Sequence, residues 1–278
     1  MRPTASEQLA RASALLEQAD GLLVTAGAGM GVDSGLPDFR GNEGFWNAYP
    51  ALGKQQIAFT SIANPQAFHD QPRLAWGFYG HRLSLYRQTR PHQGFQILRR
   101  WAERMQHGAF VFTSNVDGHF ERAGFDAARI EECHGSIHYL QCLGECRYIW
   151  PADRFEPVLD TDRCLLTGDL PRCPICEGLA RPNILMFNDW HWTSHRANEQ
   201  RTRLAAWLGR VRAPVIVEIG AGVAIPSVRN FAMRVGCPII RINPQDAATG
   251  TIGVGLWCGG LQGLQLLDAT WAAQKQAG

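Results

Sequence analysis

The loop Gly27-Ala28-Gly29-Met30-Gly31-Val32-Asp33-Ser34-Gly35-Leu36-Pro37-Asp38-Phe39-Arg40 directly follows the strand-like run Gly21-Leu22-Leu23-Val24-Thr25-Ala26. An apolar strand that runs into closely spaced glycines lets the backbone approach a pyrophosphate, because glycine has no side chain and tolerates positive φ. The loop departs from the common G-x-G-x-x-G dinucleotide fingerprint, since Val32 replaces its last glycine and no carboxylate near Tyr49 is placed for a ribose. A glycine-rich loop of an unrelated α/β protein is the alternative, which the ending at 37–40 disfavours.

Short β-rich runs alternate with helix-length segments on either side of this loop. Predicted strands cover 21–26, 109–114, 129–133, 213–219, 238–243 and 251–257, and predicted helices cover 5–19, 65–88, 92–107, 195–210, 225–236 and 260–275. This alternation favours an α/β fold with a Rossmann-like parallel sheet and helices on both of its faces.

Two stretches interrupt the alternation. Residues 42–90 are helix-like and contain no strand pattern, which predicts a helical insertion. Residues 139–181 hold five of the eight cysteines and show little periodicity, which predicts a small separate module. We therefore expect a Rossmann-like domain formed by 1–41, 91–138 and 182–278.

Composition limits the classes of protein that this chain can represent. A hydrophobic fraction of 45% and a charged fraction of 19% are typical of a globular protein. A net charge of +2 gives no electrostatic case for a nucleic-acid or membrane partner. The N-terminal segment resembles an amphipathic helix rather than a signal peptide, so we expect a cytoplasmic protein whose thiols bind metal rather than form disulfides.

The cysteines of the predicted module form two close pairs. Cys142 and Cys146 are separated from Cys173 and Cys176 by 26 residues. Two thiol pairs can supply the four soft ligands of a tetrahedral zinc ion, and a site closed by four protein ligands is structural rather than catalytic. Cys164 lies between the pairs and could replace one ligand, and free buried thiols remain the other interpretation.

Polar turns follow three of the predicted strands. Thr113-Ser114-Asn115-Val116-Asp117-Gly118 follows 109–114, Cys133-His134-Gly135-Ser136 follows 129–133, and Gly220-Ala221-Gly222 follows 213–219. The carboxyl ends of strands are where ligands bind in open α/β sheets. We therefore expect these three turns and the first glycine loop to share one site.

These motifs, in this order, resemble those of the sirtuins, the NAD-dependent protein deacylases. The first loop resembles their cofactor-binding loop, 113–118 their Thr-Gln-Asn-(Ile/Val)-Asp turn, and 134–135 their His-Gly dipeptide. The two cysteine pairs also stand where the family carries a zinc module. The resemblance extends from Gly21 to about Asn243, nearly the whole chain.

The resemblance implies a role for each of these residues. In the family, the nicotinamide–ribose bond of NAD breaks as the acyl-lysine oxygen attacks, and a ribose hydroxyl then carries the acyl group away. His134 would be the general base on that hydroxyl, a step that suits an imidazole because its ordinary pKa of about 6.5 lies near operating pH. Asn115 and Asp117 would hold the nicotinamide ribose and orient water. Asp38, Phe39 and Arg40 would shape the nicotinamide pocket.

The resemblance also implies the remaining cofactor contacts, to which we assign Gly27, Ala28, Gly29, Ser114, Gly220, Ala221, Gly222 and, for the adenosine ribose, Asn243. Four departures from the family pattern accompany them. Gly31 replaces a serine, Ser114 replaces a glutamine, and Ala221-Gly222 replace Thr-Ser. The changes at Gly31 and 221–222 leave backbone amides for phosphate, so we expect NAD binding to survive.

The fourth departure concerns the segment that pairs with a substrate peptide in the family. Phe187-Asn188-Asp189 stands where the family has Phe-Gly-Glu, and we assign Phe187 and Asn188 to peptide binding. Tyr79 and Arg82, three residues apart on a predicted helix, resemble the branch that removes acidic acyl groups. The alternative is a surface arginine above a packed tyrosine.

The sequence therefore predicts an NAD-dependent protein-lysine deacylase that acts on an acylated lysine of a protein. Ser114 and the altered 187–189 segment motivate one alternative, an ADP-ribosyltransferase or NAD glycohydrolase on the same scaffold. A non-enzymatic NAD-sensing module is the second alternative, against which Asn115, Asp117 and His134 argue.

Overall fold

The computed structural model describes residues 4–37 and 41–277. The strands are β1 (Gly21–Ala26), β2 (Ala109–Thr113), β3 (Ile130–Glu132), β4 (Gly135–Cys142), β5 (Ile149–Pro151), β6 (Leu159–Asp160), β7 (Leu165–Leu166), β8 (Ala180–Ile184), β9 (Pro214–Ile219), β10 (Ile239–Ile242) and β11 (Gly253–Leu256). The helices are α1 (Ala5–Glu17), α2 (Gly29–Val32), α3 (Gly41–Ala48), α4 (Pro50–Lys54), α5 (Phe59–Ile62), α6 (Pro65–Asp70), α7 (Pro72–Gln88), α8 (Gln93–Glu103), α9 (His119–Arg122), α10 (His195–Leu208), α11 (Ser227–Val235) and α12 (Gly260–Ala277).

A six-stranded parallel sheet forms the centre of the larger part of the molecule. Its strand order is β11-β10-β9-β1-β2-β3, so the chain builds one half outward from β1 and the other half outward from β9. The order reverses between β1 and β9, which makes the crevice at their carboxyl ends the expected ligand site of such a fold. All six strands predicted from the sequence are present, and the Rossmann-like parallel sheet is confirmed.

Both faces of the sheet are covered because successive strand residues point to opposite sides. Leu22 and Val24 of β1 join a core with α1, α8 and α12, whereas Leu23 packs on the other face against α10 and α11. All six residues of β1 are buried, as a central parallel strand requires.

The segment predicted as a helical insertion contains α3 to α7. The single helix predicted over 65–88 is divided into α6 and α7 at Pro72, which begins the second helix. The division follows from the proline ring, which lacks an N–H and disfavours helical geometry in the residue before it. Among the described residues, no helix is both long and apolar enough to cross a membrane.

The cysteine module lies on a second, antiparallel sheet of order β5-β4-β8. Its inner face shares a core with the helical segment, where Ile137 and Leu140 of β4 pack with Phe78 and Tyr79 of α7. This smaller part of the molecule is therefore one packed unit, although its two components are far apart in sequence.

A buried ion pair fixes the chain where it leaves this second sheet. The Arg181 guanidinium contacts both carboxylate oxygens of Asp189 at 2.7 and 2.9 Å, and both side chains are fully shielded from solvent. Asp189 also accepts hydrogen bonds from the backbone amides of Met186 and His191. The turn after β8 is thereby held in one conformation.

Candidate active site at the sheet edge and metal centre

Two glycine turns cross at the point where the strand order reverses. A Cβ at Gly27 would lie 2.8 Å from Ala221 Cα, and a Cβ at Gly29 would lie 2.6 Å from Gly220 Cα. Gly220 itself has a φ of +61°, and a Cβ there would lie 2.4 Å from Gly29. The turns after β1 and β9 can approach this closely only because each carries glycine at the crossing.

The amides at the crossing are divided between the protein and the crevice. Gly27 and Gly29 donate to the carbonyls of Ile219 and Gly220, at 3.0 and 3.1 Å. The amides of Ala28, Ala221 and Gly222 donate to no acceptor in the described part of the chain. Gly27, Gly29 and Gly220 therefore supply the close approach, whereas Ala28, Ala221 and Gly222 keep amides that are available to a ligand, a division that the sequence did not predict.

The turn after β2 is fastened to the first glycine turn. Asn115 Nδ2 donates to the carbonyl of Gly27 at 3.0 Å, and Thr113 Oγ1 donates to that of Ala26 at 3.0 Å. Ser114 lies between them, with its amide donating to Ala26. The predicted ribose-binding turn is thus brought into direct contact with the predicted phosphate loop.

Asp117 is buried next to Gly118, which takes the left-handed conformation at φ +70°. One oxygen of its carboxylate accepts the amide of His119 at 2.9 Å, and its carbonyl is 2.9 Å from His138 Nε2. Below this turn, Arg196 forms a 2.6 Å ion pair with the buried carboxylate of Glu132. Sequence analysis did not predict His138 and Arg196 as supporting residues, because β4 and α10 are brought to this turn only when the chain folds.

His134 lies between β3 and β4, beside the turn that carries Asn115. Its neighbour Cys133 donates a backbone hydrogen bond to Thr113, and Ile137 donates one to Val116. The ring is largely buried, with Nε2 3.0 Å from Ser227 Oγ at the start of α11. Burial lowers the pKa of His134 below its ordinary value of 6.5, because it penalises the charged imidazolium. The lowered pKa favours the neutral imidazole, which is the form that a general base requires.

Asn243, which follows β10, holds two loops together beside the second glycine turn. Its Nδ2 donates to the Ala221 carbonyl at 3.1 Å, and its Oδ1 accepts the amides of Gln245 and Asp246. These bonds shape the turn at 220–222, and one N–H of the side-chain amide is left for a ligand. The predicted nicotinamide-pocket residues Asp38, Phe39 and Arg40 lie outside the described residues.

Tyr79 and Arg82 are both buried in α7, so the alternative of a surface arginine does not hold. The guanidinium carbon of Arg82 lies 5.8 Å from the centre of the Tyr79 ring. Tyr86, one turn further along, accepts two of its N–H groups at 3.0 and 2.6 Å. The i, i+4 spacing of Arg82 and Tyr86 could have indicated this contact, but sequence analysis overlooked it.

The turn at 187–189 contains a residue in the left-handed conformation. Asn188 has a φ of +55°, a conformation that glycine adopts freely and that asparagine tolerates better than most residues. Phe187 packs edge-on against Phe59 with ring centres 5.8 Å apart, and its amide donates to the Ala63 carbonyl. Asparagine at 188 is therefore compatible with the backbone conformation of this turn.

The four cysteines predicted as metal ligands form one cluster. Cys142 and Cys176 sulfurs are 3.5 Å apart, and Cys146 Sγ is 3.6 Å from those of Cys173 and Cys176. A tetrahedral zinc ion with Zn–S bonds of about 2.3 Å places its sulfurs about 3.8 Å apart, so the cluster has the size of a zinc site. Cys164 belongs to the apolar core and not to this cluster.

We expect purified protein to contain about one zinc ion per chain, measurable by plasma mass spectrometry. Cys176→Ser should abolish zinc retention, because it removes one of the four ligands. Cys176 is exposed, so this change does not disturb the apolar core. Cys164→Ala should keep the full zinc content, although it disturbs the core. Full zinc in Cys176→Ser, or zinc loss in Cys164→Ala alone, would contradict this ligand set.

Comparison with known proteins agrees with this architecture. The sequence model that describes the Sir2 family matches residues 27–205 of this chain. A protein from Thermococcus kodakarensis named NAD-dependent protein deacylase is 30% identical over 84% of this chain and 84% of its own length. A second, from Pyrococcus furiosus and of the same name, is 29% identical over 86% of this chain and 88% of its own.

Solved structures show the same fold. A Sir2 homologue in complex with NAD superposes with a TM-score of 0.69 at 23% identity, covering 94% of this chain and 93% of that one. Sir2Tm bound to a propionylated peptide gives 0.64 at 19% identity, covering 91% and 93%. With the family model matching more than half of its length, the chain belongs to the Sir2 family, the sirtuins.

Proposed function

We propose that this protein is an NAD-dependent protein-lysine deacylase. The observation that supports this proposal most strongly is that Asn115, His134 and the two glycine turns lie together at the carboxyl ends of β1, β2 and β9. The related proteins named NAD-dependent protein deacylase cover most of this chain and support the same reaction.

The crevice has the donors that NAD requires. The free amides at Ala28, Ala221 and Gly222 would bind the pyrophosphate, and Asn243 would contact the adenosine ribose. Asn115, whose Nδ2 is already anchored to Gly27, would present Oδ1 to the nicotinamide ribose. When bound, NAD supplies the ribose carbon to which the acyl oxygen transfers as nicotinamide leaves.

His134 would take the proton from a ribose hydroxyl. Because burial lowers its pKa, the neutral and basic form of the ring persists to a lower pH than in an exposed histidine. The base is lost only when the pH falls through this lowered pKa, so the acidic limb of kcat/KM should lie below pH 6.5.

His134→Ala should reduce acyl transfer by about 10²–10⁴-fold and change NAD affinity only a few-fold, because the base acts after the cofactor is seated. Mass spectrometry of products from NAD and a panel of acylated peptides measures the reaction, and calorimetry measures binding. The control His69→Ala changes an exposed histidine on α6 and should behave as wild type.

O-acyl-ADP-ribose is the product that we expect from the wild-type protein. ADP-ribose attached to protein would identify a transferase, and free ADP-ribose without loss of the acyl group would identify a glycohydrolase. Either result, or near-normal deacylation by His134→Ala, would overturn the proposal.

We further propose that Arg82 reads the acyl chain and favours one that ends in a carboxylate. Arg82 lies in an apolar, aromatic environment, with its guanidinium between the rings of Phe78, Tyr79 and Tyr86. Nε and one Nη of Arg82 donate to the Tyr86 hydroxyl, which helps to orient the guanidinium. A carboxylate that enters this environment would form strong charge-assisted bonds.

Arg82→Met should therefore cost about 2–4 kcal/mol in kcat/KM on succinyl or glutaryl peptides and little on acetyl peptides. Both kinds of peptide are measured with the same protein, so that any general damage to α7 affects the two activities equally. If both activities fall by the same factor, Arg82 has a structural role and the acidic-acyl preference is wrong.

A further inference from the structure

The hydrogen bond between His134 and Ser227 joins residues that are 93 positions apart. Its 3.0 Å length is ordinary for a hydrogen bond between Nε2 and a hydroxyl. In the part of the chain that the structure describes, no other hydrogen bond or ion pair engages the His134 ring. Ser227 therefore has a direct influence on the proposed base.

The backbone around His134 leaves only the side-chain torsions to be set. The His134 carbonyl accepts from Leu185 at 2.9 Å, and Cys133 donates to Thr113 at 2.9 Å. Gly135 follows with a φ of +78° and with no space for a Cβ, which would lie 2.1 Å from the Asn183 carbonyl oxygen. Among the described residues, the hydrogen bond to Ser227 Oγ is the polar contact that can orient the imidazole.

Ser227 is carried by an element that is itself firmly placed. It is the first residue of α11, whose Phe231 stacks on Phe112 of β2 with ring centres 3.8 Å apart and planes within 8°. Arg229 binds the Ala221 carbonyl at 3.0 Å and the Asp246 carboxylate at 2.8 Å. The same helix is thus fastened to the second glycine turn and to the strand that precedes Asn115.

We propose that Ser227 is a positioning residue for the deacylation base, with its Oγ accepting the Nε2–H of neutral His134. This proposal rests on the proposed function and specifies in addition which ring nitrogen of neutral His134 carries the proton. A neutral imidazole has one N–H and one lone pair, so an Nε2–H assigns the basic lone pair to Nδ1. Nδ1 would then meet the ribose hydroxyl.

The proton transfer balances with this arrangement. The O–H bond of the ribose hydroxyl breaks, its proton forms the N–H bond at Nδ1, and the oxygen keeps the electron pair with which it attacks the acyl carbon. The Nε2–H stays on Ser227 Oγ throughout. Because the ring is then an imidazolium, that bond becomes charge-assisted and stabilises the protonated base.

The direction of the hydrogen bond determines whether removal of Ser227 lowers or raises the pKa of His134. If Ser227 accepts, it favours the imidazolium, so its removal lowers the pKa of His134 further. If Ser227 instead donates to Nε2, it favours the neutral ring, and its removal raises the pKa. Among the described residues no charged side chain contributes to this pKa shift, whose cause is burial.

The first test uses ¹⁵N-histidine NMR on the cofactor-free protein, with the His134 signals identified by their loss in His134→Ala. We expect the Nε2–H tautomer in the wild-type protein and in Ser227→Thr, which keeps the hydroxyl. Ser227→Ala should give a mixture of tautomers and a lower pKa. Ser194→Ala, a matched change at the start of α10, should leave the signals unchanged.

The second test measures kinetics and NAD affinity on the same variants. Ser227→Ala should lower kcat by about tenfold, the value of one hydrogen bond, with the Kd for NAD within about twofold. Ser227→Thr should restore the rate. An Nδ1–H tautomer, a raised pKa or an unchanged or raised kcat in Ser227→Ala would overturn the proposal. If no protein deacylates, the proposed function fails, and the NMR result still decides the tautomer.

Discussion

The close crossing of the two glycine turns is the constraint on which the rest of the site depends. Side chains at Gly27, Gly29 or Gly220 would meet backbone atoms at 2.4 to 2.8 Å, so larger residues would force β1 and β9 apart at their carboxyl ends. The amides of Gly27 and Gly29 bond across this crossing, and Asn115 bonds to the Gly27 carbonyl. The two glycine turns and the turn after β2 are thus parts of one hydrogen-bonded unit rather than separate loops.

The smaller part of the molecule is one packed unit built from two segments that are far apart in sequence. Its core combines helices from the 42–90 segment with the β5-β4-β8 sheet, on which the cysteine cluster closes the long loop between β4 and β8. The bidentate Arg181–Asp189 pair then directs the chain into Asn188, whose positive φ stands where the family has glycine. Asparagine is one of the non-glycine residues that adopt this conformation most readily, so the turn tolerates it.

Much of this fold could be predicted from sequence because its signals are local. Each parallel strand is a short buried run bounded by turn residues, and the cysteine pairs lie within one stretch, so periodicity and spacing sufficed. The break at Pro72 was missed because helical periodicity continues through it. The partners of the site residues were also missed. Ser227 contacts His134, and Arg196 contacts Glu132, through tertiary packing to which no spacing rule applies. Only the contact between Arg82 and Tyr86, an i, i+4 pair in α7, could have been inferred from spacing.

Hydrogen–deuterium exchange with and without NAD tests most directly whether the crossing is the cofactor site. The account predicts slower exchange on NAD addition in peptides that contain Ala28, Asn115 and Ala221–Gly222, whose amides and side chains line the crevice. Peptides from the cysteine module around Cys142 and Cys173 should exchange at the same rate in both states. Protection confined to another surface, or no protection at the crossing at saturating NAD, would contradict the account.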